Sequence, residues 1–292
     1  MQHFPPSELI LHPDGSIYHL HLQPHQIADT IILVGDPGRV PTVSKYFDTL
    51  DIKVRNREFI THTGTLNGKK LSVVSTGIGS DNIDIVLTEL DALVNIDFRS
   101  RTPKENLTAL KLIRIGTSGS LQKDIAVDSF LISQFGIGLD GLMHFYDVRN
   151  SADEHIAFLH FMENVGKVLH FPIRPYIASA GKELLYKMGY DFRKGITLTC
   201  PGFYGPQARL LRLPHAVDNW IDDLSKFQYD KLHCTNFEME TAAIYGMANA
   251  LGHQAISFNA ILANRVTRTF SKNPQRTIQE LIELVLERVI DL

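Results

Sequence analysis

Apolar positions along the chain fall into short solid runs and spaced stripes that alternate from Thr30 onward. TIILVG (30–35) is a solid run ending at Gly35-Asp36-Pro37-Gly38, the pattern of a strand buried on both faces that runs into a turn. Residues 40–47 predict a short helix. Asn67-Gly68, between a threonine-rich segment and KLSVVSTGIG, predicts a two-residue hairpin, because both residue types accept positive φ. Within 81–95, the spacing of Ile85, Leu87, Leu90, Leu93 and Val94 predicts a helix with one apolar face. LKLIRIGTSGS (110–120) repeats the strand-into-glycine-turn pattern. Further strands are expected at 127–137, 174–180, 196–199 and in QAISFNAIL (254–262), and further helices at 153–169, 238–250 and 276–290. Strands alternating with helices imply a largely parallel sheet covered on both faces, with a site at the C-terminal strand ends. Residues 1–16, rich in proline and polar groups, read as an arm that needs a partner surface to become ordered. No linker, repeat or composition shift divides 17–292.

Composition narrows the function. At 292 residues, 44% hydrophobic and 21% charged, the chain suits neither disorder, collagen nor coiled coil. Its 29 basic and 32 acidic residues leave a formal charge of −3, so no overall basic field grips nucleic acid, and any bound phosphate must be held by a few placed cations. Cys200 and Cys234 have neither metal-site spacing nor the density of a disulfide framework, which points to a reducing compartment. The first residues lack the basic lead and apolar stretch of a signal peptide, and no window approaches the ~18 apolar residues of a membrane span. A cytoplasmic protein with no membrane partner is expected.

Three motifs are discounted. Gly136, Gly138 and Gly141 spell G-x-G-x-x-G, but a dinucleotide fingerprint needs its third glycine to open a helix, and the next good helix start is the capping box Ser151-x-x-Glu154. His12, His19, His21 and His25 cluster, and His19-x-His21 on a strand would aim both rings one way, yet no carboxylate or cysteine is spaced to complete a metal set. Gly77-Ile78-Gly79-Ser80 lacks the frame of a G-x-S-x-G nucleophile elbow.

Three elements carry chemistry. Arg39, Arg57 and Arg114 stand beside turn or strand-end signals. A lone arginine is as readily a surface cation, but Gly35 and Gly38 allow close backbone approach, and Gly116-Thr117-Ser118-Gly119 offers N–H groups and hydroxyls. Together they describe an oxyanion site in which each charge-assisted bond contributes about 1.5–3 kcal/mol. In TNFEMETAA (235–243), Thr235-x-x-Glu238 reads as a capping box; this accounts for Glu238 and leaves Glu240 free to accept hydrogen bonds from a vicinal diol. CPGFYGPQARLLRLP (200–214) joins Phe203 and Tyr204 to Gln207 and Arg209, which share a face in extended chain. That pair can read a flat heterocycle with two carbonyls and an N–H; a proline-braced surface loop is the competing explanation.

Taken in order, these elements resemble the nucleoside phosphorylases of the uridine phosphorylase branch, with the match running over residues 17–268 and weakest between 140 and 195. The matching stretches are Gly35-Asp36-Pro37-x-Arg39, Arg57-Glu58-Phe59, Ser75-Thr76-Gly77-Ile78-Gly79, Arg114-Ile115-Gly116-Thr117-x-Gly119, Phe203-Tyr204-x-x-Gln207-x-Arg209, Glu238-Met239-Glu240 and Asn264-Arg265. The resemblance implies one three-layer α/β/α domain over 17–292 around a mixed, largely parallel sheet. It implies reversible phosphorolysis of uridine to uracil and ribose 1-phosphate, with inorganic phosphate as co-substrate and no cofactor. It assigns Gly35, Arg39, Arg57, Arg114 and Thr117 to phosphate, His19, Met239 and Glu240 to ribose, and Phe203, Gln207, Arg209 and Arg265 to the base. Arg114, Glu240, Arg209 and Gln207 are the catalytic set. It also implies a site shared across a homodimer, alone or within a hexamer, in which Arg57 and His19 act on the partner's substrate, His19 by reaching the ribose 5′-hydroxyl.

Two alternatives belong to the same superfamily. A purine nucleoside phosphorylase would be expected to carry an aspartate after the strand ending at Leu262, where this chain has Ala263-Asn264-Arg265; a hydrolytic nucleosidase would also want that aspartate, and would not need three phosphate arginines. A nucleoside-binding protein without catalysis is the alternative of another class. The chain departs from bacterial relatives at Asn82, where they place a serine that helps hold a monovalent cation. No metal is therefore assigned, and Glu58 remains the one candidate for such a cation. Segments 99–110 and 213–233 are longer than in compact bacterial enzymes.

Overall fold

The computed structural model describes residues 3–166, 174–216 and 220–292. In chain order these form β1 (Thr30–Val34), α1 (Arg39–Ser44), β2 (Thr49–Asn56), β3 (Phe59–Leu66), β4 (Lys69–Ser75), α2 (Ser80–Asn95), β5 (Ile96–Asp97), β6 (Thr102–Pro103), β7 (Lys111–Ser120), β8 (Phe130–Gly138), α3 (Ala152–Phe161), β9 (Tyr176–Ser179), α4 (Lys182–Met188), β10 (Arg193–Thr199), α5 (Trp220–Lys226), β11 (Gln228–Tyr229), β12 (Leu232–Glu238), α6 (Thr241–Leu251), β13 (Gln254–Asn264), β14 (Thr269–Phe270) and α7 (Pro274–Val289).

The central sheet runs β11-β12-β10-β8-β13-β7-β1-β4-β3-β2, with β9 on β8 and β14 on β13. β12 also pairs with β7, so β7, β12, β10, β8 and β13 close on themselves. The sheet is mixed. β1 lies parallel to β4 and β7, β7 to β13, and β10 to β8 and β12, whereas the β2-β3-β4 meander and the β8–β13 pair are antiparallel. Position in the sheet explains the apolar pattern: every residue of β1 is buried, while edge strand β2 alternates between exposed and half-buried residues. α2 and α6 cover one face with a core that includes Val86, Leu90 and Tyr245, and α1, α4 and α7 cover the other around Val43, Leu184 and Leu281. Each such fully buried aliphatic side chain contributes about 1.5–3 kcal/mol by leaving water.

Most predicted elements form where the spacing placed them. Asn67 and Gly68 make the hairpin turn at φ 50° and 75°. The Ser151–Glu154 capping box closes in both directions at the start of α3. α3 then ends at Phe161 in a π turn (Met162–Gly166), and the rest of the 153–169 expectation lies outside the described residues.

Several expectations are corrected. The strand at 111 does not stop at Gly116 but runs to Ser120, because Gly119 and Ser120 find ladder partners in both β13 and β12. Thr235-x-x-Glu238 is no capping box: both residues lie in β12, and α6 begins only at Thr241. Gly136 and Gly138 are inside β8 and Gly141 opens a 3-10 turn (Leu142–Phe145), so the third glycine opens no long helix. His21 sits at φ 54° outside any strand, its ring stacked on His12 at 4.5 Å, and no group of three or more potential metal ligands occurs among the described residues. The surface that orders the N-terminal arm is the chain's own. Leu9 is buried, and the Arg101 guanidinium, within the 99–110 segment, donates to the carbonyls of Phe4, Pro5 and Leu9. No helix among the described residues is long and apolar enough to cross a membrane.

Candidate active site

A cavity of about 720 Å³ opens at the C-terminal ends of β1, β4, β7, β12 and β13. It gathers nine of the residues singled out above: Gly35, Arg39, Arg114, Thr117, Phe203, Gln207, Arg209, Met239 and Glu240. They arrive from both halves of the chain because the parallel crossovers return each strand end to the same side of the sheet.

At one end stand Arg39 and Arg114. Arg39 begins α1 and donates to the Ile115 carbonyl at 3.2 Å. Burial pushes its guanidinium below the ordinary arginine value; Asp36 opposes this and Arg114 adds to it. Arg114 is 5% exposed and folds back along its own strand over Gly116, where a Cβ would lie 1.7 Å from Nη1. Its Nη2 reaches Glu240 Oε2 at 2.5 Å and Glu238 Oε2 at 3.1 Å. Burial works against the charge of Arg114, but the two carboxylates outweigh it and hold the guanidinium above its usual value. Arg114 is thus paired within the protein, whereas Arg39 bonds no carboxylate among the described residues.

In the middle, Glu240 precedes α6. Its Oε1 accepts the Gly79 N–H at 2.9 Å and its Oε2 is held by Arg114. Burial pushes the Glu240 carboxyl up and Glu238 reinforces this, against Arg114 and the Gly79 N–H. Glu238 does cap the helix, by a route the spacing did not reveal: from the end of β12 its Oε2 accepts the Glu240 and Thr241 N–H groups at 3.0 and 2.8 Å. Beside them Thr117 is half-buried, and Ser118 lines the cavity with a buried hydroxyl that has no protein partner. Ser118 is one of the two hydroxyls of the Gly-Thr-Ser-Gly run, and the family resemblance gives it no role.

At the far end, Gln207 is 2% exposed on a 3-10 turn (Gly205–Gln207), and Ala208 at φ 54° reverses the chain. The Arg209 guanidinium lies 3.6 Å from the centre of the Phe203 ring, and its Nη1 donates to Gln207 Oε1 at 2.6 Å and to the Phe203 carbonyl at 2.7 Å. With the amide oxygen occupied, Gln207 keeps its NH₂ for a ligand. Burial and then the charge of Arg265 push Arg209 down to about 10. Arg265 itself does not line the cavity, contrary to expectation: its Nη1 and Nη2 bond the carbonyls of Gln207 and Ala208 at 2.7 and 2.9 Å, bracing the loop from behind. Phe270, 64% exposed and paired across strands with Ala263, also lines the site; nothing in its local sequence marked it. Asn264 has its amide committed to backbone, donating to Gln122 and Ile125 and accepting from Val266 and Thr267.

Besides Arg265, two predicted residues stand apart from this cavity. His19 and Arg57 lie together elsewhere, with the Arg57 guanidinium 5.7 Å from the Tyr18 ring centre and the Tyr18 and His19 rings in edge contact at 4.7 Å. Glu58 reaches the cavity rim beside Gly77 and Asn82.

Comparison with known proteins agrees with this geometry. A family model described as the phosphorylase superfamily matches residues 29–291. The chain is 32% identical over 262 residues to a uridine phosphorylase of Thermococcus kodakarensis, covering 89% of this chain and 81% of that one. It is 26% identical to a DeoD-type purine nucleoside phosphorylase of Geobacillus stearothermophilus, covering 93% and 98%. A crystal structure of a Trypanosoma brucei nucleoside phosphorylase with uridine phosphorylase activity superposes with a TM-score of 0.88 at 28% identity, over 98% of this chain and all of that one.

Proposed function

This chain belongs to the phosphorylase superfamily, and from that premise we propose that its cavity carries out the reversible phosphorolysis of uridine to uracil and ribose 1-phosphate. The observation that carries the reading is the distribution of charge: among the described residues, Arg39 at one end and Arg209 at the other have no carboxylate bonded to them, and Glu240 stands between. Phosphate at the Arg39 end attacks C1′ as the glycosidic bond breaks, through a ribose with oxocarbenium character. Glu240 receives the 2′ and 3′ hydroxyls and opposes the positive charge on the sugar. Uracil departs with negative charge on its carbonyl oxygens, which Arg209 and the Gln207 NH₂ stabilise more than they stabilise neutral substrate. Burial, and after it the charge of Arg265, disfavours the charge of Arg209, and an anionic leaving group offsets that cost as it forms.

The working unit in this reading is at least a homodimer in the cytoplasm, since His19 and Arg57 lie outside their own cavity and would complete a neighbour's phosphate and ribose sites. Inorganic phosphate is the only co-substrate the steps require. Against the purine reading, Asn264 is fully engaged by backbone and Ala263 has no proton to give, so neither of these residues at the end of β13 is placed to protonate a purine ring nitrogen.

A nucleoside panel assayed with and without phosphate tests the proposal: release of uracil from uridine should require phosphate and exceed release of hypoxanthine from inosine. Phosphate-independent cleavage or a preference for inosine would overturn it. Arg209→Ala should lower kcat for uridine on the order of a hundredfold, the loss of one preorganised donor to the developing anion, while KM for phosphate stays within about twofold.

A further inference from the structure

Glu89 is a buried carboxylate that the reaction above leaves unused. It lies on α2, 8% exposed, and three donors of the N-terminal segment converge on it. The His19 N–H lies 2.9 and 3.0 Å from its two oxygens, the Leu20 N–H at 2.7 Å, and the His19 Nδ1 at 2.7 Å. An ionised carboxylate can only accept, so the last contact requires the imidazole proton on Nδ1. The ring is boxed by Tyr18 at 4.7 Å and Phe59 at 6.5 Å, both edge-on, and the His19 carbonyl is tied to Asn56 Nδ2 at 2.8 Å. Its Nε2 bonds no protein atom among the described residues, and the side chain keeps 27% of its surface exposed. A histidine so rigidly oriented, with one nitrogen committed and the other open, matches the base-and-orienter arrangement by which proteins fix a tautomer.

We propose that Glu89 is a positioning residue: by holding the proton of His19 on Nδ1 it aims the Nε2 lone pair outward, as the acceptor for the 5′-hydroxyl of the nucleoside bound in a neighbouring subunit. This inference rests on the uridine reading and on the sharing of sites between subunits. The competing account is that Glu89 only anchors the backbone of the arm.

The two accounts separate on uridine and 5′-deoxyuridine, which lacks the donor. Glu89→Gln should raise KM for uridine about tenfold, the worth of one hydrogen bond to an oriented acceptor, and leave KM for 5′-deoxyuridine within about twofold. In the His19→Ala background, Glu89→Gln should change neither. An equal effect on both substrates, or one that persists without His19, would leave Glu89 a backbone anchor and overturn the proposal. A readout that needs no Glu89 variant comes from the ¹⁵N spectrum of the wild-type protein at neutral pH, with His19→Ala supplying the assignment: Nδ1 should be the protonated nitrogen of His19, and a proton on Nε2 would overturn the proposal. Should the wild type fail to cleave uridine with phosphate, the uridine reading falls, and the spectrum still decides the tautomer.

Discussion

Glu240→Gln should lower kcat/KM for uridine on the order of a thousandfold while leaving the fold in place. The carboxylate is held by two donors, the Gly79 N–H and Arg114 Nη2, which fix it where a ribose diol can donate two further hydrogen bonds. Hydrogen bonds to a charged acceptor are worth about 1.5–3 kcal/mol each, and the neutral amide forfeits most of both as well as the attraction for a cationic sugar. Helix α6 should survive, because its cap is Glu238, which also keeps Arg114 paired. With 2′-deoxyuridine one hydrogen bond is missing from the start, so the loss should shrink by about tenfold. Steady-state kinetics on the two nucleosides, with a thermal melt as control, measure this. Equal kcat/KM in variant and parent would remove Glu240 from the sugar site.

Gly116→Ala should be as damaging by a different route. The new methyl would lie 1.7 Å from Nη1 and 2.4 Å from Cζ of Arg114, so the guanidinium must leave its place. Glu238 and Glu240, 4% and 6% exposed, then lose their shared cation. Breaking a buried pair from one side costs about 3–5 kcal/mol, which for a chain of this size lowers Tm by roughly 10 °C. Two buried carboxylates without a counter-charge hold a proton more tightly in the folded than in the unfolded state, so the deficit should be largest at neutral pH and shrink as the pH falls. Uridine phosphorolysis should be lost with the geometry of Glu240. If displacement of Arg114 is the cause, Gly116→Ala added to Arg114→Ala should cost little more than Arg114→Ala alone; full additivity in the melts would point to backbone strain instead.

Where local chemistry fixes an outcome, the sequence was sufficient. The TIILV run, the Asn67-Gly68 turn, the α2 stripe and the Ser151–Glu154 box each form as their residues dictate, because a buried strand, positive φ and a capping pair are properties of a few neighbouring residues. The residues that meet in the cavity were largely legible too: Gly35, Arg39, Arg114, Thr117, Phe203, Gln207, Arg209, Met239 and Glu240 line it together, because turn glycines, strand-end cations and buried acids mark their own positions in the chain. Glu238 shows where this stops. Its spacing suggested one cap, and a strand that continues to its carboxylate made another, joined to an arginine more than a hundred positions away.

By itself, then, the order of residues determined which elements form and which groups are available for the reaction. Only the folded chain decided their use. It paired Arg114 with two carboxylates and left Arg39 and Arg209 without one among the described residues; it turned Arg265 onto the carbonyls of Gln207 and Ala208, brought Phe270 and Ser118 to the cavity, and set His19 on Glu89 away from it. The reason is physical: a charge's partner, its exposure and its cost of burial depend on what other strands bring within a few ångströms, and residue spacing along the chain does not carry that distance.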